Sequence, residues 1–367
     1  MKVYFDAVST TSVHPEVLKT YKQLLDEYYC NSDALYDDGV AIYDMQERSR
    51  GLIASMLGVK KDEIVFTSGA SEANSLAIKG LALKHPQRKH LITSIYEHSS
   101  VHNSFKQLEE DFGYNVTYLV PDKDGHITPD MVKDALRDDT LLVSVMQVNN
   151  EIGAVNDVEA IASIVKKHAG TYFHTDITQG LGKVDIDLKN VDLASFSAHK
   201  IHGLKGSGVL VKKQFVELLP IISGGQQEFS IRGGTSNALV NIVLAKTLRI
   251  AMENKEKYHE QNKKLHDHLL AGLEKIATIN YARGLDTLMN ISTPIPSEVL
   301  LNALNDKGIM VSSKSTCGSK KNENNRTLNV LGFDEDHAIR ISFDYTNTLE
   351  EADYFLANLK EILDKYA

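Results

Sequence analysis

Ionisable side chains cluster directly after one short apolar run of the sequence. The run 193–196 is followed within four residues by Ser197, His199 and Lys200, which places a hydroxyl, an imidazole and an amine at one predicted strand end. A buried amine with cationic neighbours has a lowered pKa, and such an amine can attack a carbonyl group. Taken alone, Lys200 could equally be a surface lysine.

Two further polar segments also follow predicted strands. Residues 68–74 open a helical run, so the Ser71 hydroxyl and the free N–H groups of a helix N-terminus could hold a phosphate, although a plain N-cap is the alternative. This segment lacks both the lysine of a P-loop and the glycine pattern of a dinucleotide site. Asp176 and Gln179 follow another strand, where an acid could pair with a protonated pyridine nitrogen or cap a helix.

Short apolar runs between helical patterns must position these segments. They lie at 64–66, 91–93, 116–120, 141–145, 172–174, 193–196 and 209–211. This alternation predicts an α/β fold with a mostly parallel central sheet flanked by helices. Ligands in such sheets bind beyond the carboxyl ends of the strands, where the polar segments lie.

The C-terminal third of the chain has a different pattern. A helical stretch at 239–276 precedes apolar runs at 288–292, 309–311 and 339–343 and an amphipathic stretch at 299–307. A chain of 367 residues exceeds one usual domain. We therefore expect a large α/β domain at 16–255 and a smaller α+β domain built from 1–15 and 256–367.

Composition excludes several classes of protein. With 42% hydrophobic and 24% charged residues, the chain has the profile of a globular protein. Its net charge of -9 and scattered basic residues predict no nucleic-acid partner and no binding to an anionic membrane. No secretory signal or membrane-spanning run is evident. Only Cys30 and Cys317 are cysteines, without metal-ligand spacing, so we expect a cytoplasmic protein with no metal site and a structural role for Cys30.

A series of segments in order resembles the cysteine desulfurases related to aminotransferase class V. These segments are Gly69-Ala70-Ser71, Glu97-His98, Asn149 to Gly153, Asp176 to Gln179, Ser197 to Lys200, Arg232 to Thr235, and Cys317. The resemblance runs from Asp6 to Arg340. It implies a homodimeric, fold-type-I transferase that depends on pyridoxal phosphate and converts L-cysteine to L-alanine.

The resemblance implies a role for each matching residue around the cofactor. Lys200 would bind pyridoxal phosphate covalently, and Asp176 would pair with its pyridine nitrogen. Gln179 would bond the ring hydroxyl, while His98 would stack on the ring and assist proton transfer. The cofactor's phosphate would lie near Gly69, Ala70, Ser71, Ser197 and His199, and near Thr235 of the second subunit.

Substrate and sulfur also have implied partners. Asn150 would contact both cofactor and substrate, and Arg340 would hold the substrate carboxylate by two charge-assisted bonds. Cys317 matches the family's nucleophile, which takes the sulfur as a persulfide and delivers it to an acceptor or scaffold protein, for example in iron–sulfur cluster assembly. The polar stretch Lys320 to Arg326 predicts an exposed loop beside it. An inert thiol is the alternative.

The chain departs from the family pattern at several positions. Residues 31–36 lack a proline and a histidine, and Lys314, Leu204 and Asp344 stand where glycine, proline and glycine are common. None of these changes removes a predicted catalytic group. The sequence leaves two alternative functions open. The protein could be another pyridoxal-phosphate lyase or aminotransferase, such as a selenocysteine lyase, or it could be a catalytically weak cofactor-binding scaffold protein.

Overall fold

A computed structural model describes residues 1–313 and 325–366. Within these residues the β-strands are β1 (Val3–Tyr4), β2 (Ile64–Thr67), β3 (His90–Ser94), β4 (Asn115–Leu119), β5 (Thr140–Ser144), β6 (Tyr172–Asp176), β7 (Leu193–Ser197), β8 (Gly208–Lys212), β9 (Thr278–Tyr281), β10 (Leu288–Ser292), β11 (Ile309–Met310) and β12 (Ala338–Ser342). The α-helices are α1 (Pro15–Glu27), α2 (Asp37–Met56), α3 (Ala70–Lys84), α4 (Ser99–Phe112), α5 (Pro129–Ala135), α6 (Val158–Val165), α7 (Gln227–Ser230), α8 (Ala238–Glu253), α9 (Lys255–Leu273), α10 (Ser297–Asp306), α11 (Arg326–Val330) and α12 (Leu349–Tyr366). Two short 3-10 turns occur at Lys61–Glu63 and Ala198–Lys200.

The central sheet has seven strands in the order β2-β8-β7-β6-β5-β3-β4. Strand β8 is antiparallel to both of its neighbours, and every other pair is parallel. Six strands therefore run in one direction, and their carboxyl ends share one edge of the sheet. The predicted mostly parallel α/β fold is confirmed.

Helices cover both faces of this sheet. Ile64 and Phe66 belong to one hydrophobic cluster, whereas Val65 between them belongs to another. Successive side chains of a strand point to opposite faces, so each face has its own core. Burial on both faces explains why the strands read as short, continuous apolar runs.

A third hydrophobic cluster joins the two ends of the chain. Val3 and Phe5 pack there with residues of α9, β10, α10, β12 and α12. Strand β10 is antiparallel to β9 and β12, and β1 pairs with β11 in parallel. The helical stretch predicted at 239–276 is two helices, α8 and α9, that meet at Asn254. We propose the division into 16–255 and 1–15 with 256–367 on the basis of this shared core.

Two local predictions had different outcomes. Lys320 to Asn324 lie outside the described residues, but Asn325 caps α11 and Arg326 begins it, so the predicted loop does not extend to Arg326. Cys30 is partly exposed and is therefore not the buried filler that a structural role would require. Among the described residues, no helix is long and apolar enough to cross a membrane.

Candidate active site

A cavity of about 310 Å³ opens at the shared carboxyl edge of the sheet. Its walls contain Val8, Ser9, Ala70, Ser71, His98, Met146, Asn150, Asp176, Thr178, Gln179, Ser197, His199, Lys200 and Arg340. Most of the predicted site residues are therefore neighbours in space. Gly69 directly precedes this wall, Thr235 is exposed and is not part of it, and Cys317 lies outside the described residues.

Lys200 enters the cavity from the 3-10 turn that follows β7. Its ammonium donates to the carbonyl oxygens of Val8 at 2.5 Å and Ser9 at 2.6 Å. Burial, together with the nearby charges of Arg340 and Lys183, lowers the pKa of Lys200 to about 7. A substantial fraction of this amine is consequently neutral and nucleophilic near pH 7.

Asp176 ends β6 and is held by two donors. Its Oδ2 accepts from the Asn74 side chain at 2.8 Å, and its Oδ1 accepts from the Thr178 backbone N–H at 2.9 Å. Asn74 lies on α3, one turn after Ser71, and also donates to Ser100 Oγ at 2.9 Å. Sequence reasoning missed Asn74, although its place one turn along the predicted helix would have put it on the same face as Ser71.

His98 caps α4 with a neutral imidazole. Its Nδ1 accepts from the backbone N–H of Ser100 at 3.2 Å, which leaves the proton of the neutral ring on Nε2. Burial lowers the pKa of His98. Burial also raises the pKa of the adjacent Glu97 to about 8, and this carboxyl accepts from the Met146 backbone N–H at 2.9 Å. Glu97 thereby positions Met146, a wall residue that the sequence did not indicate.

The end of the cavity near α3 presents hydrogen-bond donors. Ser197 Oγ accepts from the Ala70 backbone N–H at 2.6 Å, so the hydroxyl proton remains for another acceptor. Burial lowers the pKa of His199 to about 4, and the charge of Lys200 contributes. Gly208 allows the close approach of β8, because a Cβ there would lie 2.5 Å from the Gly69 Cα. Such a turn at a helix N-terminus suits an anion.

Arg340 is 1% exposed and is already bonded within the protein. Its Nη1 donates to the Asn150 carbonyl oxygen at 2.9 Å, and its Nη2 donates to Asp6 at 3.0 Å and to Ser9 Oγ at 2.8 Å. Its Nε is buried and has no partner among the described residues. The Nε–H group of Arg340 is therefore available to donate a hydrogen bond to a carboxylate.

Like Arg340, Gln179 has one buried side-chain atom that makes no hydrogen bond to the described residues. Its Nε2 donates to the Val8 carbonyl oxygen at 3.2 Å, while its buried Oε1 has no partner among the described residues. An unpaired buried acceptor is costly, so a ligand hydroxyl is its natural partner. Together with the amine of Lys200, the carboxylate of Asp176 and the donors near α3, this acceptor fits pyridoxal phosphate.

Comparison with known proteins supports the same cofactor. Residues 3–355 match the aminotransferase class-V family. The chain is 38% identical to a NifS/IcsS protein homolog from Lactobacillus delbrueckii subsp. bulgaricus, over 100% of this chain and 98% of that protein. It is 36% identical to the cysteine desulfurase IscS of Methanosarcina thermophila, over 99% of this chain and 92% of that protein. A solved NifS-like protein superposes with a TM-score of 0.93 at 35% identity, with 100% of both chains covered.

The chain belongs to the cysteine desulfurases of aminotransferase class V. It is therefore a fold-type-I enzyme that depends on pyridoxal phosphate. In this cysteine desulfurase, all of the residues predicted to bind the cofactor line one cavity except Gly69 and Thr235. The N-terminal segment that contains Val8 and Ser9 contributes carbonyl oxygens that were not predicted, because backbone acceptors leave no signal in side-chain types.

Proposed function

We propose that this enzyme binds pyridoxal phosphate on Lys200, converts L-cysteine to L-alanine, and passes the sulfur to Cys317. The observation that carries the proposal is the presence of Lys200, Asp176 and Arg340 in the wall of one cavity. These residues supply an amine, a carboxylate and a guanidinium, which are the groups that the cofactor's aldehyde, its ring nitrogen and a substrate carboxylate require.

Each side chain has a task that its surroundings support. Bound pyridoxal phosphate supplies an electron sink that weakens the Cα–H and Cβ–S bonds of an attached amino acid. Asp176, fixed by Asn74 and Thr178, would pair with the protonated ring nitrogen of the cofactor. Lys200 accepts and returns protons because its pKa is about 7.

The remaining residues hold the cofactor and the substrate in place. Gln179 Oε1 would accept a hydrogen bond from the ring hydroxyl of the cofactor, and Ser71, Ser197 and His199 would hold its phosphate. His98, with its proton on Nε2, would stack on the cofactor ring. Arg340 holds the substrate carboxylate through Nε beside Asn150.

Sulfur transfer is assigned to the Cys317 thiolate. The thiolate attacks the substrate sulfur, an S–S bond forms, the Cβ–S bond breaks, and its electron pair stays with Cβ, which then takes a proton. The products are L-alanine and a persulfide on Cys317. A protein acceptor with a free thiol then removes the outer sulfur atom, for example for iron–sulfur cluster assembly. Free thiols of this kind favour a reducing, cytoplasmic location.

A second copy of the chain completes the site with Thr235. Exposed apolar residues favour this dimer, since Tyr29 is 94% exposed and Leu35 is 95% exposed. Leu35 lines a surface concavity together with Val40, Tyr43 and Phe229.

The segment that contains Thr235 is firmly attached beside this concavity. Glu228 accepts from the Arg50 guanidinium at 2.7 and 2.8 Å and from the Phe66 backbone N–H at 2.8 Å. Glu228 and Phe229 have positive φ values of 46° and 58°. Since such values are unfavourable for these residues, the Arg50 and Phe66 bonds are needed to hold them.

The decisive experiment compares wild type with Cys317→Ala. Wild type treated with L-cysteine should release alanine and gain one sulfur on the peptide that contains Cys317, removable by a reducing thiol. Cys317→Ala should keep the cofactor and its colour change with L-cysteine but stop forming alanine. Alanine formation at the wild-type rate in Cys317→Ala would contradict the persulfide route, and borohydride labelling of a lysine other than Lys200 would contradict the cofactor assignment.

A further inference from the structure

A second cavity adjoins the active site on the other side of Lys200. Its volume is about 160 Å³, and Val8 and Lys200 line both cavities, so the two share a wall. Helices α8 and α9, the turn at Gly182 to Val184, the residues before β10 and those after β12 form the other walls. Asp344, one of the departures from the family pattern, lies there.

Two polar side chains in this wall lack the partners that buried groups require. Asn262 is 7% exposed and Thr287 is 4% exposed. Asn262 Oδ1 and Thr287 Oγ1 are buried and make no hydrogen bond to the described part of the chain. Buried polar atoms in folded proteins nearly always have a partner, so each of these atoms is suited to a ligand.

Lys183 is a third polar side chain of this wall without a bonding partner among the described residues. The other basic side chains of the wall, apart from Lys200, each face a carboxylate: His202 faces Asp344, His259 faces Asp286, and Lys255 faces Asp185. Across residues 1–313 and 325–366, the Lys183 ammonium makes no hydrogen bond and no ion pair. Burial lowers the pKa of Lys183 to about 8, while the charge of Asp344 acts in the opposite direction. An anionic group would stabilise this ammonium.

The volume of the cavity and its apolar lining further restrict which ligands it can bind. A cavity of about 150 Å³ holds benzene, so this one accommodates a molecule of roughly six non-hydrogen atoms. The rings of Tyr258 and Tyr345 stack with centroids 3.6 Å apart, and Ile250 and Leu285 add apolar surface. The ligand therefore combines a carboxylate and a hydrogen-bond donor with a small apolar portion.

We propose that this cavity binds a small α-amino acid, with its carboxylate on Lys183 and its ammonium on Asn262 and Thr287. This site is additional to the proposed function of the first cavity. Because Val8 and Lys200 line both cavities, a ligand that packs against them in this cavity also changes a wall of the active site. The site would thus couple the concentration of a free amino acid to the active site.

The test counts L-alanine molecules that bind to the holoenzyme. Titration calorimetry should detect two per chain, only one of which changes the absorbance of the bound cofactor. Lys183→Met should weaken alanine binding at least ten-fold at the site that gives no absorbance signal. The absorbance change that alanine causes at the other site should persist. Acetate and methylammonium, each with half of the ligand's charged groups, should bind this site at least ten-fold more weakly than L-alanine.

Thr287→Val provides a variant that keeps the shape of the side chain. It should weaken the same site and leave Tm unchanged, because its hydroxyl has no protein partner among the described residues. The matched control is Thr293→Val, which should lower Tm because the Thr293 hydroxyl donates to the Ile295 carbonyl oxygen at 3.1 Å.

Three results would overturn the proposal. These are one alanine per chain in wild type, a second site that is unchanged in both Lys183→Met and Thr287→Val, and equal losses of Tm in the two threonine variants. If the function proposed for the first cavity is wrong, L-alanine will not change the absorbance of the cofactor, and this result is separate from the three above.

Discussion

Individual side chains of the active site owe their chemistry to burial and to fixed neighbours. Lys200 is an ordinary lysine by type, but its surroundings lower its pKa from 10.5 to about 7. Arg340 lies so deep that its guanidinium bonds three protein groups before any substrate arrives. The reactivity of both residues therefore follows from their positions.

The lowered pKa of Lys200 predicts how cofactor-free enzyme takes up pyridoxal phosphate. Only the neutral amine attacks the aldehyde, and burial disfavours the charged form, so the neutral form becomes dominant as the pH rises through about 7. The rate of recombination, followed by absorbance, should rise through this pH and then level off. A rate that still rises steeply above about pH 9 would show that the amine titrates like a free lysine.

Arg340→Lys should weaken cysteine binding with cofactor content intact. A lysine cannot copy the planar arrangement of donors, and loss of a buried charge-assisted bond costs about 2–5 kcal/mol, so KM for L-cysteine should rise ten-fold or more. Steady-state kinetics and cofactor absorbance measure the two effects. Arg283→Lys is the control, because Arg283 is exposed and contacts Asp124 and the Tyr281 ring, neither of which lines the cavity. An unchanged KM in Arg340→Lys would contradict the carboxylate role.

At the scale of elements, close backbone packing positions the phosphate end of the cavity. Strand β8 passes so near the turn before α3 that only glycine fits at position 208. The same turn donates the Ala70 N–H to Ser197, which ties the start of α3 to the end of β7. This hydrogen bond therefore connects the two elements beside the proposed phosphate site.

Gly208→Ala should displace this turn. The added Cβ would meet backbone atoms of Gly69, which cannot move aside as a flexible side chain can. We expect at least ten-fold weaker pyridoxal-phosphate binding and a loss of about 1–3 kcal/mol in the free energy of unfolding. Gly51→Ala is the control, since a Cβ there meets nothing within 4 Å and the helix α2 should gain stability. Equal cofactor affinity in the two variants would refute the packing argument.

At the scale of the whole molecule, the exposed apolar surface around residues 29–43 distinguishes one side of the chain. Leu35, Val40 and Tyr43 remain accessible there, although the described residues form three large hydrophobic clusters that bury many apolar side chains. A surface of this kind is typical of an interface between subunits.

A charge introduced into this surface should separate the proposed dimer. Leu35→Asp should shift the mass measured by light scattering from two chains toward one, because burying an unpaired carboxylate opposes association. Val299→Asp, at an exposed apolar position of α10, should leave the mass unchanged. Activity should fall with the dimer if Thr235 reaches the partner's site. A Leu35→Asp protein with an unchanged mass would place the interface elsewhere.

The sequence by itself determined the central sheet and predicted which chemical groups meet at its carboxyl edge. Apolar runs are local signals, and Ser197, His199, Lys200 and Asp176 follow such runs directly, so their shared place in one cavity wall could be expected from the pattern, while their roles rest on the family resemblance. Tertiary structure alone decided which groups complete the site. Val8 and Lys200 lie 192 residues apart, and their contact runs through a backbone carbonyl that every residue possesses. The cavity that contains Lys183, Asn262 and Thr287 likewise arises only where separate elements pack together, because an unsatisfied atom is defined by surroundings that no short segment encodes.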